Sequence, residues 1–317
     1  MEVIFELKKS TGKGKIPFIF SNPMNHSSEK PWAGIGVEVN SSLSSREMLY
    51  KAKLDWEVSK IPSQRPKSHS NQETFRFYKA YFQSGNAEID TVGSLDGARI
   101  LWALARLNED FTLPGEDELK SYILLASRHE DREKIEIQFM VLRSACNSML
   151  KISSKARPTV KNSFRRVFKS TLPFLSESAQ KFDEEMDQKA KATIQMGREA
   201  ISDFAKKAQS LANKKVDEKI ARNYMGEVFK PDLLKDEGKA AEDQARKTEQ
   251  DALEAFENAP GQNLESAQMS AWGLLTAAAY TADRLGKTPD SRLRQSWFGP
   301  NAKIKKRALE LALNLLD

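Results

Sequence analysis

The chain has 317 residues, 39% hydrophobic and 30% charged, and 50 Lys+Arg against 44 Asp+Glu give a net charge of +6. That apolar content supports a packed core and excludes a chain disordered throughout, while the length suits about two domains. A single cysteine, Cys146, excludes an intramolecular disulfide framework and a cysteine-based zinc site, and His26, His69 and His129 are too scattered to pair on a metal.

Residues 1–20 lack the apolar core and small-residue cleavage site of a signal peptide. Val3–Leu7 reads as a short strand, and Ser10–Ser28, rich in Gly, Ser, Lys and Asn, as a loop. Ser44 or Ser45 is placed to cap a helix running to Leu54, with Glu47 in its first turn. Trp56–Ile61 reads as a strand and Ser63–Asn71 as a loop. From Glu73 a helix is predicted, with Phe75, Tyr78 and Phe82 on one face and Gly85 as its stop.

The apolar period then changes to two. Ala87–Val92, Arg99–Leu107, Leu119–Ser127 and Glu133–Arg143 read as strands, the last with Ile135, Ile137, Phe139 and Val141 on one side. Gly93–Gly97 and His129–Arg132 read as connecting turns, and connections this short dictate an antiparallel sheet. A short helix is expected at Cys146–Ile152, then an extended basic segment from Thr159 to Lys169.

After Ser176 the chain reads as helical. One long helix is expected over Ser176–Tyr224, with a heptad-like stripe at Ile194, Gly197, Ile201, Phe204, Ala208 and Leu211. Further helices are expected at Lys239–Asn258, Leu264–Leu285 and Ala302–Leu316, separated by Asn258–Gly261 and Lys287–Asp290. The fold class is therefore α+β: an N-terminal domain over 1–172, with an antiparallel sheet, packed helices and the basic segment, then a helical region over 173–317. The longest nearly apolar stretch, Ala271–Ala279, is far short of the ~20 residues of a membrane span, so a cytoplasmic protein without membrane attachment is expected.

Catalytic patterns are missing. There is no GxxxxGKS/T phosphate loop and no GxSxG elbow, and Gly12-Lys13-Gly14-Lys15 is too short for a phosphate loop. Cys146 has no histidine nearby in sequence and reads as a buried structural thiol. The acidic clusters Glu109-Asp110, Glu116-Asp117-Glu118 and Asp183-Glu184-Glu185 read as solvated charge rather than as converging metal ligands. No catalytic residue, cofactor or metal is expected.

Charge points instead to residues 151–169, with seven basic residues and no acidic one, although 101–150 carry six basic against nine acidic. Lys151, Lys155, Arg157, Lys161, Arg165, Arg166 and Lys169 supply the charge, interleaved with Phe164 and Phe168. As helix or as strand, this arrangement sets groups suited to phosphates beside rings on which bases stack. The competing reading is a solvated face with two core phenylalanines. The cluster Lys303, Lys305, Lys306 and Arg307 reads as a solvated helix face, and Trp272, Tyr280 and Trp297 as packing anchors.

Several blocks carry a resemblance: Pro31–Gly36, Ala87–Leu107, Lys120–Ser127 followed by His129, Phe139–Met149, Ala271–Leu275, Arg292–Gly299 and Lys305–Leu313. In this order they resemble the phage- and plasmid-like proteins of the domain of unknown function 932 family. The resemblance implies a mobile-element setting in a bacterial host, often near replication and recombination genes, and names no activity. This chain departs from the family pattern in two places. The hairpin expected between Trp56 and Glu73 is reduced to the loop Ser63–Asn71, and Phe164–Lys169 lacks the histidine of an Arg-x-Arg-His-like strand. The order strand, strand, strand, strand, helix over 87–152 is also similar to the core of the single-strand annealing superfamily, a fold-level analogy.

The expected function is a non-enzymatic protein that binds single-stranded DNA without sequence preference and anneals it in recombination or replication. The alternative is a helical oligomerisation or interaction protein, with Ile194, Ile201, Phe204 and Leu211 forming a homo-oligomer seam. A third reading, a metal-dependent nuclease, needs carboxylates that converge in space.

Overall fold

Alternating side chains in long, mostly apolar strands give this protein a sheet with two dry faces. The computed structural model describes residues 29–55, 71–128, 131–152, 159–161, 184–231 and 239–317. Within them the strands are β1 (Gly36–Glu38), β2 (Glu88–Leu95), β3 (Ile100–Arg106), β4 (Phe111–Leu113), β5 (Asp117–Arg128), β6 (Asp131–Arg143), β7 (Ser148–Ile152) and β8 (Thr159–Lys161). All pairings are antiparallel in the order β1-β2-β3-β5-β6-β7, with β4 beside β5 and β8 beside β6. The helices are α1 (Ser45–Lys51), α2 (Asn71–Ser84), α3 (Glu184–Asn213), α4 (Glu218–Val228), α5 (Lys239–Asn258), α6 (Ala271–Arg284), α7 (Pro289–Phe298) and α8 (Pro300–Asn314). The expected α+β class is therefore observed. The expected strands at Val3–Leu7 and Trp56–Ile61, and the loop Ser10–Ser28, lie outside the described residues.

One sheet face presents Leu101, Ala103, Ile123, Leu125, Ile135, Ile137, Phe139, Val141 and Leu150 to a core shared with α2, α3, α4, α6 and α8. The other presents Ile100, Trp102, Leu104, Tyr122, Leu124, Met140 and Met149 to Trp32 and to Leu293 and Trp297 of α7. Burial on both faces explains why β3 and β5 read as nearly continuous apolar runs. The larger core contains residues from both sides of the boundary expected near 172.

Local chemistry explains several elements. Ser44 caps α1 in a capping box, and its hydrogen bonds hold the Glu47 carboxyl below the usual carboxylate range. Gly36 and Gly93 lie opposite each other in register, and a Cβ on either would meet the Trp102 indole at 2.4 or 2.5 Å. Trp297 then meets Trp102 edge-on, with ring centroids 5.1 Å apart.

Three expected helices need correction. Cys146–Ile152 is not a helix: a turn over 144–147, with Asn147 at φ 54°, leads into β7. There Met149 faces one core and Leu150 and Ile152 the other, which is the period of a strand. The helix that packs across the sheet is α3, so the analogy to a strand-strand-strand-strand-helix core over 87–152 loses its helix. The long helix expected to reach Tyr224 is two helices, because Lys214–Val216 leaves α3 to pair with Met269–Ala271, and Asp217 then caps α4. Leu264–Leu285 is helical only from Ala271, where Ser270 provides the cap.

The heptad-like stripe is buried within the chain. Ile194, Ile201, Phe204 and Leu211 are at most 4% exposed. A Cβ on Gly85 would meet Ile194 at 2.2 Å, a Cβ on Gly197 would meet the Phe139 ring at 2.3 Å, and Phe204 packs on Phe111 and Trp272. The seam expected for a second copy is already covered by the protein's own sheet.

Asp117 also departs from expectation. It is fully buried rather than solvated, and its carboxylate accepts hydrogen bonds from Arg143 Nε at 2.8 and 2.9 Å, Ser266 Oγ at 2.7 Å and Trp272 Nε1 at 3.0 Å. Arg143 Nη2 donates to the Gly261 carbonyl at 2.7 Å. Removing one member of such a pair strands the other charge, so Asp117→Ala is expected to lower stability by about 3–5 kcal/mol in urea titrations, and Arg143→Leu similarly. A loss under about 1 kcal/mol would show the pair to be dispensable.

Burial pushes the Tyr81 phenol up to about 12 and the fully enclosed Tyr224 phenol well above its usual range. A phenol raised in the folded state stabilises it fully below the unfolded value of about 10. That contribution disappears as pH rises through the folded value. The wild-type protein should therefore lose stability between about pH 10 and 12, and Tyr81→Phe should remove up to about 2–3 kcal/mol of that loss in alkaline denaturation curves.

Candidate nucleic-acid interface

The acid-free basic run starts in β7 and passes through β8, both of which pair with β6. β7 pairs with residues 139–143 and β8 with residues 134–136, so the two strands lie end to end along one edge of β6. Among the described strands, neither has a further partner.

Lys151 lies opposite Met140 in register, and its side chain is 46% exposed. Its ammonium is 3.7 Å from the Glu136 carboxylate, which also accepts from Gln138 Nε2 at 2.7 Å. Lys134 occupies the position directly opposite Lys161. Lys134 and Glu136 share the face of Met140 and Trp297 by strand alternation. Arg128 projects on the same side, its guanidinium 5.4 Å from the Phe298 ring centroid.

Of the expected binding residues, Lys151 and Lys161 are thus placed on this edge. Lys155, Arg157, Phe164, Arg165, Arg166, Phe168 and Lys169 lie outside the described residues. Sequence reading missed Lys134, which joins the edge only through register on β6.

The C-terminal basic cluster does not form one surface. Lys305 turns inward and is 4% exposed, with Nζ 2.6 Å from both Asp283 Oδ1 and Ser296 Oγ. Lys306 pairs with Glu310, and Arg307 donates to the Glu227 carbonyl. Lys303 is exposed. Trp272 and Trp297 are buried packing anchors, as expected, and Cys146 is buried in the turn before β7.

A family model described as a domain of unknown function (DUF932) matches residues 59–308. The chain belongs to this family. The DUF932 match holds every strand from β2 to β8, the basic run and all but the last six residues of α8. Trp32, β1 and α1 precede it, so part of the second core comes from outside the matched region. No curated protein and no solved structure matches the chain. Among the described residues, no helix is long and apolar enough to cross a membrane, and no group of His, Cys, Asp and Glu side chains is placed to hold a metal ion.

Lys305 and Lys303 make a contrast that thermal melts will read. Lys305→Met removes the cation that Asp283 faces and is expected to cost about 2–4 kcal/mol. Lys303→Met should stay within about 0.5 kcal/mol.

Proposed function

We propose that this DUF932 protein is a non-catalytic nucleic-acid-binding protein that takes single-stranded DNA along the β7–β8 edge and the basic residues beyond it. The observation that carries the reading is the continuous acid-free run from Lys151 to Lys169, whose described part lies on the sheet edge beside Lys134. Lys151, Lys155, Arg157, Lys161, Arg165, Arg166 and Lys169 would neutralise phosphates, with Phe164 and Phe168 stacking bases. Such contacts read charge and ring faces rather than base edges, so sequence preference should be small. A phage or plasmid setting, with strand annealing during replication or recombination in the cytoplasm of a bacterial host, belongs to the same proposal.

Fluorescence anisotropy with a labelled single-stranded oligonucleotide tests it, with duplex of the same length alongside. About five phosphate contacts to a single strand give a log–log salt slope near −3.5, or roughly a 100-fold loss of affinity from about 50 to 200 mM salt. The double variant Arg165→Glu with Arg166→Glu should weaken binding at least about 10-fold with an unchanged circular dichroism spectrum. Absence of binding at low salt, or unchanged affinity in the double variant, would overturn the assignment.

A further inference from the structure

Two arginines without carboxylate partners share a cavity on the opposite side of β7 from the basic run's β8 end. The walls come from the segment Glu29–Ala33, the turn 144–147, Pro260 after α5, the end of α6 and the beginning of α7, and the volume is about 750 Å³. That lies in the range of small-molecule sites. The cavity is built on rigid parts. Asp290 of α7 accepts from the Asp96 amide, and Thr288 caps the same helix. Gly286, at φ 134°, makes the sharp bend between α6 and α7.

The charges in and around it are accounted for as follows. Asp283 receives Lys305 and Ser296 on one carboxylate oxygen and the Met149 amide on the other, so its charge is matched. Lys30 is held by Glu38 at 3.1 Å and Asp90 at 3.3 Å. Glu29 is exposed at the mouth. Arg284 donates Nη1 to the Tyr280 carbonyl at 3.1 Å and lies 3.1 Å from the centroid of that ring. Arg292 donates Nε to the Gly286 carbonyl at 3.1 Å. Each guanidinium is thus oriented by a backbone carbonyl while its remaining N–H groups are left for another acceptor. Neither makes an ion pair among the described residues. Partial desolvation, and the neighbouring Arg292 charge in the same direction, outweigh the attraction of Asp283 and hold the Arg284 pKa below its ordinary value, while the residue as a whole stays exposed. Ser144 also lines the cavity, but its Oγ is shielded from solvent and is left out of the ligand's donor set.

We infer that this cavity is a binding site for a phosphate monoester on a nucleotide-sized organic body. A monoester carries nearly two negative charges and three terminal oxygens, which matches two guanidinium forks without ion-pair partners. A carboxylate would match only one of the two arginines. Phosphate alone would fill a small part of the volume, and the rest, walled by Pro31, Pro260 and Leu293, suits an organic moiety. The same group occurs on a free mononucleotide and on the phosphorylated end of a strand, so both sources belong in the test. The inference stands apart from strand binding at residues 151–169.

The full chain is titrated by calorimetry with AMP, adenosine, inorganic phosphate, and a trinucleotide with either a 5′-phosphate or a 5′-hydroxyl. AMP or the 5′-phosphorylated trinucleotide should bind with a Kd below about 1 mM, and the matching probe without phosphate at least about 10-fold more weakly. Arg284→Gln and Arg292→Gln should each weaken binding about 10- to 100-fold. Arg292 is exposed, so its variant should keep the wild-type melting temperature and separate loss of ligand from loss of fold. The double variant Arg165→Glu with Arg166→Glu should bind as wild type, which keeps this site distinct from the strand-binding one. Binding of AMP alone identifies a free nucleotide, and binding of the phosphorylated trinucleotide alone identifies a strand end. No binding of any phosphate-bearing probe at about 10 mM, or equal binding by a folded Arg292→Gln protein, would overturn the inference.

Discussion

The Asp117 carboxylate is the constraint from which the architecture hangs. It sits at the start of β5, where it faces Arg143 at the end of β6, and it takes its other two donors from Ser266 and Trp272. Arg143 reaches in the same direction to the Gly261 carbonyl. A buried charge of either sign is expensive alone, so the position of one dictates the position of the other. Through this pair the turn regions of the sheet fix the segment before α6, and α6, buried along most of its length, organises the helices around it.

A sheet covered on both faces leaves its edges and its ends for recognition. The larger core closes one face with α2, α3 and α6, and Trp32 with α7 closes the other. Among the described strands the sheet's edges are β1 at one side and β7–β8, which carries the basic run, at the other. The two proposed sites lie at the β7–β8 edge and at the end of the sheet where the turn into β7 meets α6 and α7, and β7 links them, since Lys151 is exposed beside one while the Met149 amide is held by Asp283 beside the other. Both proposals place recognition at a backbone edge or a helix corner, where charged side chains can keep their solvent until a ligand displaces it.

Where local pattern and burial agree, the sequence was a good guide. The face of α2 with Phe75, Tyr78 and Phe82 is buried, and so is the side of β6 with Ile135, Ile137, Phe139 and Val141. Boundaries failed where a tertiary partner overrode local preference. Cys146–Ile152 has no polar alternation to mark a strand because Met149 and Leu150 are both buried, on opposite faces, and Lys151 alone in β7 is exposed. The break after α3 exists because Lys214–Val216 finds a partner at Met269–Ala271, some 55 residues on. α7 was hidden because Pro289 reads as an interruption, although proline at the first helical position begins a helix as readily as it ends one. Of the basic run, the sequence supplies composition, while the neighbour Lys134 follows from register. Asp117 and Lys305 look like ordinary solvated charges because their partners, Arg143, Trp272 and Asp283, are distant in the chain. The cavity has no linear signature at all, since its walls come from five separate segments.

The separation of Asp117 from its last donor has a consequence in time. Trp272 follows it by 155 positions. At ribosomal elongation of about 5–20 residues per second, roughly 8–30 s pass between synthesis of the carboxylate and synthesis of the indole. Within that interval, once residue 152 has been made, β2 to β7 exist with one apolar face awaiting α6, and the hairpins can form but cannot be sealed. The ordering of this protein is therefore completed only when its C-terminal helices emerge.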